Sequence, residues 1–264
     1  YDPVMAKWVG GRMSAEEASK ISGVDQIRNY GDFEDAVASL YNWKRTLPEF
    51  TVYVDAWRYT STQADSAAMS FVKLVQNKYP TWNIKDVFPS LTAMRMVKDE
   101  AEKELMRKAS LINDEAMDDM IHAFEEGITE NEMAKKLLDF YASHGGQGYS
   151  FSPIVGYGPN GADGHHGCDD TPLKAGDSIV IDMGCMYNGY CSDMTRTVFY
   201  KSVSEKQEYV YNLVLKAQLA AEAIIKPGVR LCDIDKTARD IITEGGYGPN
   251  FNHRLGHFIG QEVH

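Results

Sequence analysis

The chain has 264 residues, with 38 acidic against 27 basic side chains and a formal net charge of −11 at pH 7. That length can bury a sizeable apolar core without disulfide staples, and the acidic balance disfavours nucleic acid or an anionic membrane surface as a partner. Hydrophobic residues at 44% and charged residues at 25% fit a folded globular chain, not a disordered one. No apolar run reaches the roughly 18 to 20 residues that span a bilayer. Cys168, Cys185, Cys191 and Cys232 form no CxxC pair; free thiols and a cytoplasmic location are the expectation. The chain opens on Tyr1 and not on Met, so an upstream stretch is expected.

In chain order, the pattern predicts a helix near Asp32 to Leu47, a strand TVYVDAW at 51 to 57 and a helix near Thr62 to Tyr79, together a small α/β unit. Pro80 and Pro89 bracket a connector, and a domain boundary is expected near 95, dividing the chain into 1–95 and 96–264. After Lys98 a long amphipathic helix runs to about Glu126, with Leu105, Ala109, Ile112, Ala116 and Met120 at helical spacing. Thr129 with Glu132 forms a capping box for the next helix, stopped by Gly145 and Gly146. Ser204 with Gln207 opens another, ended by Pro227 and Gly228.

Between these helices lie β segments at 149–157, 177–185 and 190–200. The last two flank Asn188 and Gly189, a two-residue hairpin signal because both central positions of a type I′ turn need positive φ. The segment ending at His264, rich in Ile, Val and Phe, also reads as an interior strand. GYGPN occurs at 156–160 and again at 246–250. It marks either two similar Gly/Pro turns or an internal duplication.

Three constellations could carry chemistry. A turn at Asn188 and Gly189 pairs Asp182 with Thr195 and Asp193 with Gly184. Side-chain alternation then puts Asp182 and Asp193 on one face as diagonal neighbours. Two carboxylates that close repel unless a cation sits between them, which points to a hard divalent metal; the alternative is a solvated acidic face. HRLGHFIGQEVH at 253–264 places His253, His257 and His264 among glycines, a candidate for metal ligation or acid/base work. NGADGHHG at 160–167 carries His165 and His166 on a Gly-rich loop.

The order His165, Asp182, Asp193, then GH and, seven residues on, VH resembles the pita-bread metallopeptidases: Xaa-Pro aminopeptidases (aminopeptidase P), prolidases and methionine aminopeptidases. HRLGHFIGQEVH departs from the proline-peptidase motif at Phe258 and Gln261, and NGADGHHG has Gly164 where proline is common. The likeness covers about 98–264. The first 95 residues resemble part of the creatinase/aminopeptidase P-type N-terminal domain. The resemblance implies an α+β fold: a pita-bread catalytic domain, incomplete at the C-terminus, behind a smaller α/β domain. It implies an Xaa-Pro metallopeptidase, a hydrolase of the aminopeptidase P or prolidase kind acting on proline-containing peptides, and a homodimer.

Carried over by position, Asp182, Asp193 and His257 would be metal ligands, His165 and His264 would hydrogen-bond the substrate, and His253 would line its pocket. Two divalent ions are implied, with Mn²⁺ ahead of Co²⁺, Zn²⁺ or Fe²⁺. The family adds two glutamates beyond this segment, so a C-terminal continuation is expected to complete the site. Two other functions stay open: a metal-free peptide- or protein-binding module, and a creatinase-like C–N hydrolase.

Overall fold

A computed structural model describes residues 13–44, 50–56 and 62–264, and the chain divides into two compact units, Tyr1–Thr92 and Ala93–His264. Residues 45–47 of the first expected helix, and Trp57 of the first expected strand, lie outside the described residues.

In the first unit, α1 (Ala15–Ser22) opens on a capping box between Ser14 and Glu17. α2 (Phe33–Lys44) follows a 3₁₀ turn at Tyr30–Asp32. The strand β1 (Phe50–Val54) pairs in parallel with β2 (Trp82–Asp86), and α3 (Ala67–Lys78), capped by Ser66, connects them. Val54, Val72 and Val75 are buried there. The stretch bracketed by the two prolines is therefore not a connector. It holds β2, because WNIKD finds strand β1 as a non-local partner, and Pro89 is already the second residue of α4 (Phe88–Met96). The division between the units falls within α4.

The second unit begins on α5 (Glu100–Ala123) and α6 (Glu130–Ser143). Each opens on a capping box, Asp99 with Glu102 and Thr129 with Glu132, in which both residues satisfy amides left orphaned at the helix start. Gly145, at φ +82°, follows the end of α6. β3 (Ile154–Tyr157), β4 (Ser178–Met183) and β7 (Met194–Phe199) form an antiparallel sheet in the order β3-β4-β7. Between β4 and β7, β5 (Met186–Tyr187) and β6 (Tyr190–Cys191) make the tip of the hairpin. Asn188 and Gly189 take φ +46° and +79° there, as a type I′ turn requires.

Strand β4 alternates: Ile179, Ile181 and Met183 are buried, while Ser178, Val180 and Asp182 are half-buried on the other face. The buried set packs with Met117, Met120, Met133, Leu137 and Tyr141 of α5 and α6 in one core. Within it Asn113 is fully buried. It donates to the Met183 carbonyl at 3.1 Å and accepts from the Tyr141 hydroxyl, so α5 is tied to the strand beside Asp182.

α7 (Glu205–Ala223), capped by Ser204 with Gln207, and α8 (Leu231–Glu244) pack through Ala217, Ala221, Ala238 and Ile242. Both GYGPN segments run into 3₁₀ turns, at Gly158–Ala162 and Gly248–Asn250, and each lies downstream of a helix pair. Residues 251–264 form neither helix nor strand, which corrects the expectation of an interior strand. Their polar groups are satisfied one at a time: the Cys191 amide donates to the Gly260 carbonyl at 2.8 Å, and the Gly260 amide to the Glu262 carbonyl at 3.0 Å. No helix of the described residues is long and apolar enough to cross a membrane.

Candidate metal centre

The β4–β7 register places Asp182 opposite Thr195, and the Thr195 hydroxyl donates to Asp182 Oδ1 at 2.7 Å. Burial pushes the Asp182 carboxyl above its ordinary range and the nearby Asp193 carboxylate adds to the rise, against the Thr195 hydrogen bond and the fields of His165 and His257. Asp193 stands just before β7, where the ladder opens between the tip and the main sheet.

His257 reaches this point from the irregular segment after α8. Its Nδ1 lies 2.8 Å from the Phe258 carbonyl and its Nε2 3.2 Å from Asp193 Oδ2. A carbonyl only accepts, so Nδ1 is the donor in this contact, which leaves Nε2 as the ring nitrogen beside the carboxylate. An imidazole nitrogen and a carboxylate oxygen are both ligand types for a divalent cation. The His264 ring centroid is 4.4 Å from that of His257, and those of His165 and His253 are 6.1 Å apart. His165 and His257 both act electrostatically on Asp182, so one neighbourhood gathers residues from the loop, the hairpin and the last segment. A groove of about 1040 Å³ opens beside it, lined by Ala217, Ala221, Ile234, Leu255, His257 and His264 among others.

Comparison with known proteins gives the family. The sequence profile of metallopeptidase family M24 matches residues 104–264. The chain belongs to metallopeptidase family M24. The Xaa-Pro dipeptidase of Pyrococcus horikoshii is 37% identical over 199 residues, covering 75% of this chain and 57% of that protein. Prolidase from Pyrococcus furiosus superposes with a TM-score of 0.73 at 34% identity, over 81% of this chain and 61% of its own. X-Pro aminopeptidase from Thermotoga maritima gives 0.77 at 32% identity, over 90% and 64%. The fold is the α+β pita-bread fold of these structures, and this chain spans less than two thirds of each of the three.

The histidine segment also has supports that the sequence pattern did not single out. On α8, Arg239 holds Asp235 through two nitrogens at 2.8 and 3.0 Å and donates to the carbonyls of Phe251 at 2.7 Å and His253 at 3.1 Å. The Leu255 amide donates to the same Asp235 at 3.1 Å. This ion pair clamps the start of the histidine segment. At its far end the Gln261 amide donates to the Tyr190 hydroxyl at 3.3 Å, and Tyr190 donates to Glu102 at 2.9 Å. An acid followed four residues later by arginine on one helix face was a readable signal for the pair, though its hold on residues 251–255 was not.

Among the described residues, Glu130, His166 and Asp169 form a group whose ligand atoms lie within 4.8 Å of one another and could hold a metal. Glu130, however, is fully buried and accepts from the Tyr157 amide at 2.9 Å and Asn160 Nδ2 at 3.0 Å on Oε1. On Oε2 it accepts from His166 Nε2 at 2.6 Å and the Asp169 amide at 3.1 Å. A carboxylate offers about four lone-pair sites, and all are taken by donors. The chemistry of this group is that of a tie between chain segments. Asp182 and Asp193, with His257, are the donor set that fits hard divalent ions.

Proposed function

We propose that the protein is a metal-dependent exopeptidase acting at Xaa-Pro bonds, as an Xaa-Pro aminopeptidase or a prolidase. The observation that carries this reading is the convergence of His257 Nε2, freed by the Nδ1 contact to the Phe258 carbonyl, on the Asp193 carboxylate beside Asp182. The names of the related Xaa-Pro dipeptidase, prolidase and X-Pro aminopeptidase support the choice of bond.

In this reading Asp182, Asp193 and His257 hold two divalent ions, Mn²⁺ first. Bound there, such a pair supplies an acidified water and a Lewis acid for the scissile carbonyl. The chain's own residues do the rest. Thr195 fixes the Asp182 carboxylate by donating to Oδ1. His165 and His264 donate hydrogen bonds to the substrate around the reacting carbonyl, and His253 lines the side next to His165. A metal-free binding module or a creatinase-like hydrolase would leave Asp182, Asp193 and their mutual repulsion without use. Cytoplasmic residence, consistent with four free cysteines, and a homodimer complete the proposal.

Cleavage of Xaa-Pro against Xaa-Pro-Yaa-Zaa by the full-length protein with added Mn²⁺ tests it. Hydrolysis of the dipeptide alone makes it a prolidase, and removal of the first residue of the longer peptide makes it an aminopeptidase P. Hydrolysis of neither overturns the reading.

A further inference from the structure

We propose that Glu130 and His166 form a lock that positions His165, so that His166 is a positioning residue for the peptidase reaction; this rests on the function proposed above.

The two adjacent histidines have opposite fates. His166 turns inward, its side chain only 14% exposed, and its Nε2 donates to the fully buried Glu130 at 2.6 Å. His165 is exposed and faces the Asp182 and His253 side. Residues 163–166 form a turn, from which the His166 ring enters the body of the unit while that of His165 stays exposed, so fixing the ring of His166 fixes the turn that carries His165.

Little else fixes the loop at this point. Gly164 and Gly167 flank the pair, and around each of them a Cβ would meet nothing within 4 Å. The other ties are on either side. Tyr157 and Asn160 hold the beginning of the loop to Glu130, and the Asp169 amide holds its end. The amides of Glu130 and Asn131 also donate to the carbonyls of Thr171 and Asp169, at 3.3 and 3.0 Å. Between these anchors the histidine turn is closed on Asp163: His165 N–H donates to Asp163 Oδ1 at 3.0 Å and His166 N–H to the Asp163 carbonyl at 3.2 Å. That turn sets the backbone. The His166 ring joins it to the body of the unit from within, and the Cys168 thiol, donating to the Pro153 carbonyl at 3.3 Å, holds the chain two residues further on.

Glu130 suits the task. It is the first residue of α6, where the helix dipole favours a negative charge, and its complement of four donors leaves it no freedom to rotate. A neutral or charged imidazole can donate through Nε2, so the lock does not depend on which form His166 takes.

The test uses the full-length protein loaded with Mn²⁺ alone and compares His166→Ala with His166→Gln, whose side-chain amide can donate from nearly the place of Nε2. His166→Ala is expected to lower kcat on the cleaved Xaa-Pro substrate about 10- to 100-fold with KM nearly unchanged, the range for outer partners of active-site groups. His166→Gln should recover most of that loss. Amide hydrogen exchange across 157–169 should rise in His166→Ala and stay near wild type in His166→Gln.

Equal losses in both variants, or loss without faster exchange, would overturn the lock. A fall of one bound Mn²⁺ in either variant would overturn it too and make Glu130, His166 and Asp169 a metal site. If the wild-type protein cleaves nothing, the peptidase reading fails by itself, and the exchange data still decide whether His166 holds the loop.

Discussion

His257 Nε2 stands 3.2 Å from Asp193 Oδ2 while the other ring nitrogen of His257 contacts the Phe258 carbonyl at 2.8 Å. The Phe258 carbonyl thereby orients the ring, as second contacts on ligating histidines commonly do. The carboxylate comes from the β hairpin and the imidazole from a segment about 60 residues later in the chain, so a cation between them would link parts that backbone pairing joins only at Cys191 and Gly260.

Asp193→Ala should therefore lose more than about 100-fold in Mn²⁺ affinity, beyond the range for outer partners, and lose hydrolysis with it. The metal-free protein should melt at an unchanged or slightly higher temperature, because one of two repelling carboxylates is gone. Calorimetric Mn²⁺ titration and melting of the apo protein measure the two effects; a large drop in apo melting temperature would make Asp193 a structural residue.

Asp182 gives a prediction with a definite sign in pH. Its carboxyl is raised, first by burial and then by Asp193, so ionising it costs more in the folded than in the unfolded chain. Its contribution to stability is greatest at low pH, where it is protonated, and is lost as pH rises through the raised folded value. Asp182→Asn keeps an oxygen for the Thr195 hydroxyl and removes the charge. In urea unfolding of the metal-free protein, this variant should exceed the wild type at neutral pH, and the gap should close as the solution is acidified. Mn²⁺ affinity of the wild type should rise over the same pH interval, because protons and metal compete for one carboxylate. A stability gap independent of pH would mean that the substitution acts through packing.

Thiol reactivity should separate the four cysteines. Cys185 is fully buried and its thiol is pushed up to about 11 by burial, with Cys191 adding to it; burial also raises Cys191 and Cys168. Only Cys232 is exposed. Reaction of the native protein with a chromogenic disulfide at pH 8 should release about one equivalent quickly, and four after denaturation, since the thiolate is the reacting form. Cys168, half-buried in its loop, should follow more slowly, and fast release of three or more equivalents would show that the hairpin core around Cys185 opens readily.

What could be read from the sequence is what short-range chemistry decides. Asn188 and Gly189 fix a turn, the turn fixes a register, and the register puts Asp182 across from Thr195. Thr129 with Glu132 and Ser204 with Gln207 mark helix starts for the same local reason. Elements that depend on distant partners were misread or missed. WNIKD becomes a strand only against β1. The segment ending at His264 has strand-like composition, yet Arg239, Asp235 and Cys191 hold it in an irregular path. Glu130 looks like any acid in a first helical turn, and nothing near it in sequence tells that His166, 36 residues on, will donate to it.

Gly184 is the position where the hairpin tolerates least. In the continued register it lies across from Asp193, and a Cβ there would meet Ser150 Oγ at 2.0 Å, the Ser192 carbonyl oxygen at 2.2 Å and the Phe151 ring at 2.7 Å. Two of these groups also bond each other, the Ser150 hydroxyl donating to the Ser192 carbonyl at 2.7 Å, while the Ser150 amide donates to the Gly184 carbonyl at 2.9 Å. A methyl group must displace backbone beside Asp193, not merely swing a flexible side chain aside. Gly184→Ala should cost about 3 kcal/mol, the upper part of the range for overpacking, and should weaken Mn²⁺ binding because Ser192 carries Asp193 with it. Gly189→Ala is the control: its φ is +79° and a Cβ would touch nothing within 4 Å, so only backbone strain of about 1 to 2 kcal/mol applies and metal binding should hold. Urea unfolding and Mn²⁺ titration of both variants check the ranking. A Gly184→Ala protein as stable as Gly189→Ala, with normal Mn²⁺ affinity, would mean that the two strands can part at Gly184 without moving Asp193.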